Sequence, residues 1–270
     1  MIIDGKALAG EIYARLEERG FGERGLSLGI VCCEPNAVIE SFVRIKARAA
    51  ERLGVRLVRH DVPAREGEAG IMRAIEALVR ETQGVIVQLP LPPEIDTQKI
   101  LASIPGSHDV DGIGPSPRVM PPVARAVSYV LAHEGVHLAG KRAVVIGAGR
   151  LVGAPVAQML AEGGADVRVI TKDAGSLTEL HDADIVVSGA GEPGLIQLDM
   201  IRDGVVLIDA GTSDSPAGEG TKRIVGDADA ACAAKCSVFT PVPGGIGPVA
   251  VAMIFENLGE LADVKNERRS

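Results

Sequence analysis

Short β-rich runs alternate with stretches of helical periodicity along most of the chain, and that alternation restricts it to a parallel sheet covered by helices. Leu8, Ile12 and Leu16 share one helical face; residues 28–32 read as strand, 38–53 as helix and 55–62 as strand. Ile71, Ile75 and Leu78 mark a further helix before a buried strand at 84–87. Pro- and Gly-rich text over 104–122 then breaks the rhythm, and a connection of that length without periodicity is expected at a domain boundary. A second alternating block follows, with strands expected at 143–146, 167–171, 185–188 and 205–208, a helix at 151–162 and a closing helix at 247–263.

Composition narrows the function classes. Two Tyr, four Phe and no Trp leave little for base stacking, and a net charge of −8 opposes a phosphate-backbone partner, so no nucleic-acid role is expected. No apolar run reaches the ~18 residues that cross a bilayer, and the first residues lack the basic flank and apolar core of a signal peptide. Cys32, Cys33, Cys232 and Cys236 lack zinc-ligand spacing and read as small buried apolar side chains. A reducing cytoplasm is the expected location, and no metal is expected.

The second block opens with AVVIGAGRLVG, in which Gly147, Gly149 and Gly153 sit where a strand turns into a helix. Glycines there let backbone approach a pyrophosphate, and the helix start offers free N–H groups and a positive dipole end. At the end of the next strand stand Thr171, Lys172 and Asp173, where such a domain chooses between a ribose hydroxyl and a 2′-phosphate. Asp173 suits the hydroxyl, Lys172 or Arg150 the phosphate, and the residues alone leave the choice between NAD and NADP open. Residues 240–248, TPVPGGIGP, hold three prolines and three glycines in nine positions, a shaped loop of the kind that holds ligands or rigidly joins strand to helix.

In the first block SFVRIK puts Phe42 and Lys46 on one helix face, VQLPLP puts Gln88 just past a buried strand, and HDVDG carries Asp109 and Asp111. An amine, an amide and a carboxylate from separate elements can converge at the carboxyl ends of an open sheet. Taken singly each has a plainer role: a solvated lysine, a polar strand end, a pair of turn-capping aspartates.

In their order, SFVRIK, GVIVQLPLP, HDVDG, GKRAVVIGAGRLVGAP, DADIVVSGAG, GVVLIDAG, VGDAD and TPVPGGIGP resemble the methylenetetrahydrofolate dehydrogenase/cyclohydrolase family from near residue 29 to near residue 258. The resemblance implies an α/β chain of two domains: an N-terminal α/β folate-site domain (1–118, joined by the final helix, 247–270) and a Rossmann-like NAD(P)-binding domain (119–246). It implies oxidation of a tetrahydrofolate derivative, 5,10-methylenetetrahydrofolate, with NADP, NAD being the alternative, then hydrolysis to 10-formyltetrahydrofolate for one-carbon metabolism and purine biosynthesis. Homodimers are usual in the family. By its pattern Lys46 is the catalytic lysine, Gln88 its hydrogen-bonding partner and Asp111 the carboxylate on the pterin ring. Phe42, Leu89, Pro90, Pro241, Gly244 and Gly245 complete the implied substrate contacts. The implied cofactor contacts are Gly147, Ala148, Gly149, Arg150, Val152, Gly153, Thr171, Lys172, Ala190, Gly191, Thr212, Thr240 and Pro241.

The chain departs from the family pattern at several of these positions. Phe42 stands where the family has a catalytic tyrosine, which exposes the hydrolytic step more than the oxidation. Ala148 and Gly149 replace the usual Arg-Ser, and Thr171 and Lys172 a His-Ser pair, leaving Lys172 or Arg150 to meet a 2′-phosphate. His108 and Ala250 replace a lysine and a threonine, and residues 121–126 rewrite the usual PCTPxG segment. A same-fold dehydrogenase on another substrate and a non-catalytic nucleotide-binding relative are the competing expectations.

Overall fold

The computed structural model describes residues 1–216 and 222–267. It divides into two compact units, one of Gly10–Pro122 with Val251–Ser270 and a second of Met1–Ala9 with Val123–Ala250. Helix α1 (Gly5–Glu18) leads from the second unit into the first.

The first unit continues with β1 (Ser27–Cys33), α2 (Ala37–Arg52), β2 (Arg56–Val62), α3 (Gly67–Glu81), β3 (Gly84–Val87) and α4 (Thr97–Ala102). Its strands pair in parallel in the order β2-β1-β3. The central strand β1 is buried at every position, which is why its text is a continuous apolar run rather than an alternation. Asn36 starts α2 by accepting from the N–H groups of Val38 and Ile39 at 3.0 and 3.1 Å. Ile71, Ile75 and Leu78 of α3 lie fully buried among Val31, Val85 and Val87. The helix comes this close because Gly29 has no side chain: a Cβ there would stand 3.0 Å from Leu78.

The second unit holds α5 (Pro122–His133), β4 (Arg142–Ile146), α6 (Gly153–Glu162), β5 (Asp166–Ile170), β6 (Ile185–Ser188), β7 (Val206–Asp209), the hairpin strands β8 (Ser213–Pro216) and β9 (Lys222–Val225), and β10 (Val238–Thr240). Five of these form a parallel sheet in the order β10-β7-β6-β4-β5. The chain runs outward from β4 to β5 and then returns to β6 on the other side. The strand order therefore reverses between β4 and β6, and at such a switch point the carboxyl ends of the strands leave a crevice. Residues 1–3 line β10, with the Phe239 N–H donating to Met1 O and the Ile3 N–H to Phe239 O, each at 2.8 Å.

The last helix, α7 (Ile246–Glu267), starts in the second unit and belongs to the first from Val251 onward. There Phe255, Leu258 and Leu261 are buried, and the buried Asn257 amide donates to Val110 O and Met120 O, both at 2.8 Å. The expected strands and the closing helix stand within a few residues of their sequence positions. The helix expected from residue 151 begins instead at Gly153, because 150–152 are spent in the turn that follows β4. Helices α4 and α5 and the β8–β9 hairpin carried no expectation; α5 had a signal in Val123, Val127 and Val130 at helical spacing and Gly135 at φ +66° just beyond its end.

Candidate functional site

Lys46 lies in the third turn of α2, Gln88 directly after β3, and Asp111 in the turns that follow, so three stretches of the first unit meet. The Lys46 Nζ donates to Gln88 Oε1 at 2.9 Å. The Gln88 amide is fixed at its other end by donating to Leu89 O at 2.8 Å, and its own N–H donates to Val31 O of β1 at 2.9 Å. Its carbonyl therefore has one orientation, aimed at the amine. Burial lowers the Lys46 pKa below its ordinary value, with Asp111 pulling it back up. Burial also pushes the Asp111 carboxyl up to about 7, against the pull of Lys46. Two groups that are ordinarily a firm cation and a firm anion are thus both drawn toward neutral forms.

Asp109 plays a different part from its neighbour. It is buried, and its carboxylate accepts from the N–H groups of Gly112 at 3.0 Å and Gly114 at 2.7 Å, which shapes the turn presenting Asp111. Gly112 takes φ +60°, and a Cβ on it would run into Val119 O. Of the expected turn-capping pair, then, Asp109 alone caps. Phe42, one turn before Lys46, is 39% exposed and has its ring centroid 6.0 Å from Lys46 Nζ. Val38 and Ile45 extend this exposed apolar face of α2. Leu89 and Pro90, joined by a cis peptide, lie beside Gln88 at the surface.

In the second unit the glycine-rich turn closes on itself. Gly147 takes φ +95°, and a Cβ on Gly153 would collide with Gly147 O, so both positions require glycine for different reasons. Gly149 has open space around it, Ala148 and Arg150 are exposed, and Val152 precedes α6 without a side-chain cap. In the first turn of α6 the Ala154 N–H donates to Gly149 O at 3.1 Å, the Val156 N–H donates to Val152 O at 3.0 Å and Pro155 has no N–H, so the Gly153 N–H is the group at this helix start open to a partner. These residues fit a dinucleotide pyrophosphate through the close backbone approach at Gly147, Gly149 and Gly153 and a helix start without a side-chain cap. After β5, Thr171 Oγ1 accepts from the Asp173 N–H at 3.3 Å, and Lys172 is exposed. Ala190, Gly191 and Thr212 are exposed in the loops after β6 and β7.

The loop after β10 has a cis peptide between Val242 and Pro243, Gly244 at φ +107°, and a Gly245 N–H that donates to Pro241 O at 2.8 Å. Gly244 O accepts from the Gly5 N–H at 2.8 Å, which ties the loop to the first turn of α1. Thr240, expected to touch a cofactor, is fully buried, and its Oγ1 accepts from the Asp209 N–H at 2.7 Å. Its side chain braces β10 against β7. Asp209 and Asp227, in the GVVLIDAG and VGDAD motifs, carried no sequence expectation of their own; both are buried.

Comparison with known proteins places both units. Residues 3–111 match the catalytic-domain model of tetrahydrofolate dehydrogenase/cyclohydrolase, and residues 121–266 match its NAD(P)-binding-domain model. The chain is 35% identical over 286 residues to the bifunctional protein FolD of Wolinella succinogenes, covering 98% of each chain. Among solved structures it is similar to the Campylobacter jejuni FolD methylenetetrahydrofolate dehydrogenase/cyclohydrolase, with a TM-score of 0.91, 32% identity and coverage of 98% of this chain and 99% of that one. A Trypanosoma brucei FolD complexed with NADP and an inhibitor gives a TM-score of 0.91 at 33% identity, over 100% of this chain and 99% of that one. With both halves matched and the likeness running nearly end to end, the chain belongs to the tetrahydrofolate dehydrogenase/cyclohydrolase family.

Proposed function

We propose that the protein oxidises 5,10-methylenetetrahydrofolate to the 5,10-methenyl form with a nicotinamide dinucleotide, NADP or NAD, and hydrolyses the product to 10-formyltetrahydrofolate. The observation that carries this reading is the Lys46–Gln88 hydrogen bond beside Asp111, in a chain of this family. The folate-site part comprises 1–118 with 247–270, and 119–246 binds the dinucleotide.

The bound dinucleotide supplies the hydride acceptor. Gly147, Ala148, Gly149, Val152 and Gly153 hold its pyrophosphate, Ala190, Gly191 and Thr212 line the adjacent loops, and Lys172 or Arg150 meets a 2′-phosphate where there is one. Thr171 sits beside Lys172, and Pro241, Gly244 and Gly245 shape the wall after β10. On the folate side Asp111, Gln88, Leu89 and Pro90 hold the pterin, and the Phe42 ring packs on it.

Hydride leaves a carbon flanked by two nitrogens, so the transition state gains delocalised positive charge and requires positioning more than a strong base. Hydrolysis needs more. Water adds to the amidinium carbon and a neutral Lys46 amine takes the proton that the water loses; the bond from that carbon to N5 then breaks as the Lys46 ammonium returns a proton to N5 and the hydroxyl proton passes to solvent, which leaves the formyl group on N10. Burial supplies the neutral amine, and Gln88, which cannot change charge, keeps it aimed. Phe42 brings no hydroxyl to this network, so the oxidation is the better-supported step.

The test uses purified protein with methylenetetrahydrofolate and NADP or NAD in separate cuvettes, following reduced nicotinamide and the methenyl product together. Reduced cofactor with either one supports the reading; none with either removes it. Among the described residues no helix is long and apolar enough to cross a membrane. A cytoplasmic homodimer follows the family habit, and sedimentation of the purified protein checks its size.

A further inference from the structure

Two buried carboxylates of the second unit have no role in the chemistry assigned above, yet they hold the loops on which the assigned residues sit. Asp227 is fully buried. Its Oδ2 accepts from Ser188 Oγ at 2.6 Å, from the Ala190 N–H at 2.8 Å and from the Gly191 N–H at 3.3 Å, and its Oδ1 accepts from the Glu192 N–H at 2.8 Å. Consecutive N–H groups converging on one anion form a nest, here filled by the protein's own carboxylate. Asp209, 1% exposed, does the same for the neighbouring loop, accepting from the Gly211 N–H at 2.9 Å and the Ala228 N–H at 2.8 Å.

The two are cross-braced. A Cβ on Gly211 would strike the Asp227 carboxylate, and one on Gly226 would strike the Asp209 carboxylate, so each aspartate occupies space that a glycine on the other's segment leaves open. Between carboxylates this close, burial and the negative charge of Asp227 push the Asp209 pKa up to about 6, while backbone N–H groups pull it down. The loop they shape adjoins the glycine-rich turn: a Cβ on Gly147 would stand 2.9 Å from Gly189 O, and Val152 packs where a Gly189 side chain would be.

We propose that Asp227 is a positioning residue of the dinucleotide site, its buried carboxylate fixing the backbone of 190–192 beside the glycine-rich turn, with Asp209 fixing the segment that carries Asp227. This deepens the reading of the second unit as a dinucleotide site and rests on it. Charge matters as well as shape, because an amide in place of the carboxylate turns an NH2 toward backbone donors and leaves them unpaired.

The experiment titrates full-length protein with NADP and NAD directly and measures KM for dinucleotide and for methylenetetrahydrofolate separately. Asp227→Asn is expected to raise the dinucleotide Kd and KM about tenfold while leaving the folate KM in place. Ser188→Ala, which spares the carboxylate and its backbone partners, is expected to raise the dinucleotide Kd about threefold and keeps the test decisive where Asp227→Asn does not fold. An unchanged dinucleotide Kd in the folded Asp227→Asn protein, or in Ser188→Ala where that variant alone folds, overturns the proposal. An equal rise in both KM values does so too, since general loosening would produce it. Failure of the parent protein to bind either dinucleotide overturns the dinucleotide site and this inference together, whereas a binding parent with insensitive variants overturns the inference alone.

Discussion

The two units build their sites from opposite materials. In the first, the proposed chemistry rests on three side chains whose protonation is set by burial and by each other: Lys46 is drawn down, Asp111 is drawn up, and Gln88 is neutral at any pH. In the second, backbone makes the surface of the glycine-rich turn, where Gly147, Gly149 and Gly153 carry no side chain, and Thr240 and Asp227 are buried behind the loops they brace. A side-chain site is lost with one functional group, but its effect can be tuned by small changes in pKa. A backbone site tolerates exposed substitutions such as Ala148 and is lost when a turn cannot close.

The sharpest break in this comparison is Lys46→Ala. It should lower the hydrolytic rate by roughly 10²- to 10⁴-fold, the span ordinary for a general base, while dinucleotide affinity stays at the parent value. Stopped-flow decay of the methenyl intermediate reads the first and direct titration the second; equal losses in both would erase the contrast between the units. Gly153→Ala should do the converse. Its Cβ meets Gly147 O, so the turn must open, at a cost of about 1–3 kcal/mol in stability by the usual penalty for overpacking. Thermal unfolding and NADP titration check it, and the Lys46-dependent step should be the less affected.

Restoring the missing hydroxyl with Phe42→Tyr is a smaller change in the opposite direction. Hydrolysis should rise by up to about tenfold, within the range of general acid–base and orienting groups, with the oxidation within about twofold of the parent. Accumulation of methenyl product by the parent and not by the variant is the readout, and no difference between them would show that the ring alone suffices.

The pH predictions are the mildest. Because burial disfavours the Lys46 ammonium, the rise of hydrolysis with pH should fall below the ordinary lysine value of ~10.4, and Gln88→Leu should shift that limb. Asp111 holds its proton more tightly folded than unfolded. Its contribution to stability is therefore full below the unfolded value of ~3.9 and is lost as pH rises through about 7. Chemical denaturation of parent and Asp111→Asn across that window should show the variant gaining relative stability as pH rises; parallel curves would mean Asp111 titrates as an ordinary carboxylate.

How far the text alone reached differs between the units in the same way. For the second, GAGRLVG after an apolar strand and before a helix was enough, because a glycine turn between strand and helix has few conformations and φ +95° at Gly147 is one that only glycine adopts easily. Lys46, Gln88 and Asp111 were a weaker case. Each had a plainer reading by itself, and only their order within a family pattern raised them. Asp109 and Asp111 show the limit most clearly: two aspartates in one HDVDG text, one spent on turn N–H groups and the other set against Lys46. Asp227 was unreadable, since its partners lie 35 to 39 residues away in sequence, and Asp209 reads as a local turn cap to Gly211 while its second partner, the Ala228 N–H, lies 19 residues on.

The alternation of strands and helices, the parallel sheets, the glycine turn and the proline-rich loop after the last strand were legible in the amino-acid order, because they follow from periodicity and from the conformational limits of single residues. Which polar groups lose water and which face one another emerges with the packed fold. Whether a lysine is a solvated cation or a half-buried amine, and whether an aspartate caps a turn, meets an amine or fills a nest of backbone donors, depends on burial and on partners brought together by the fold, and neither is a local property of the chain.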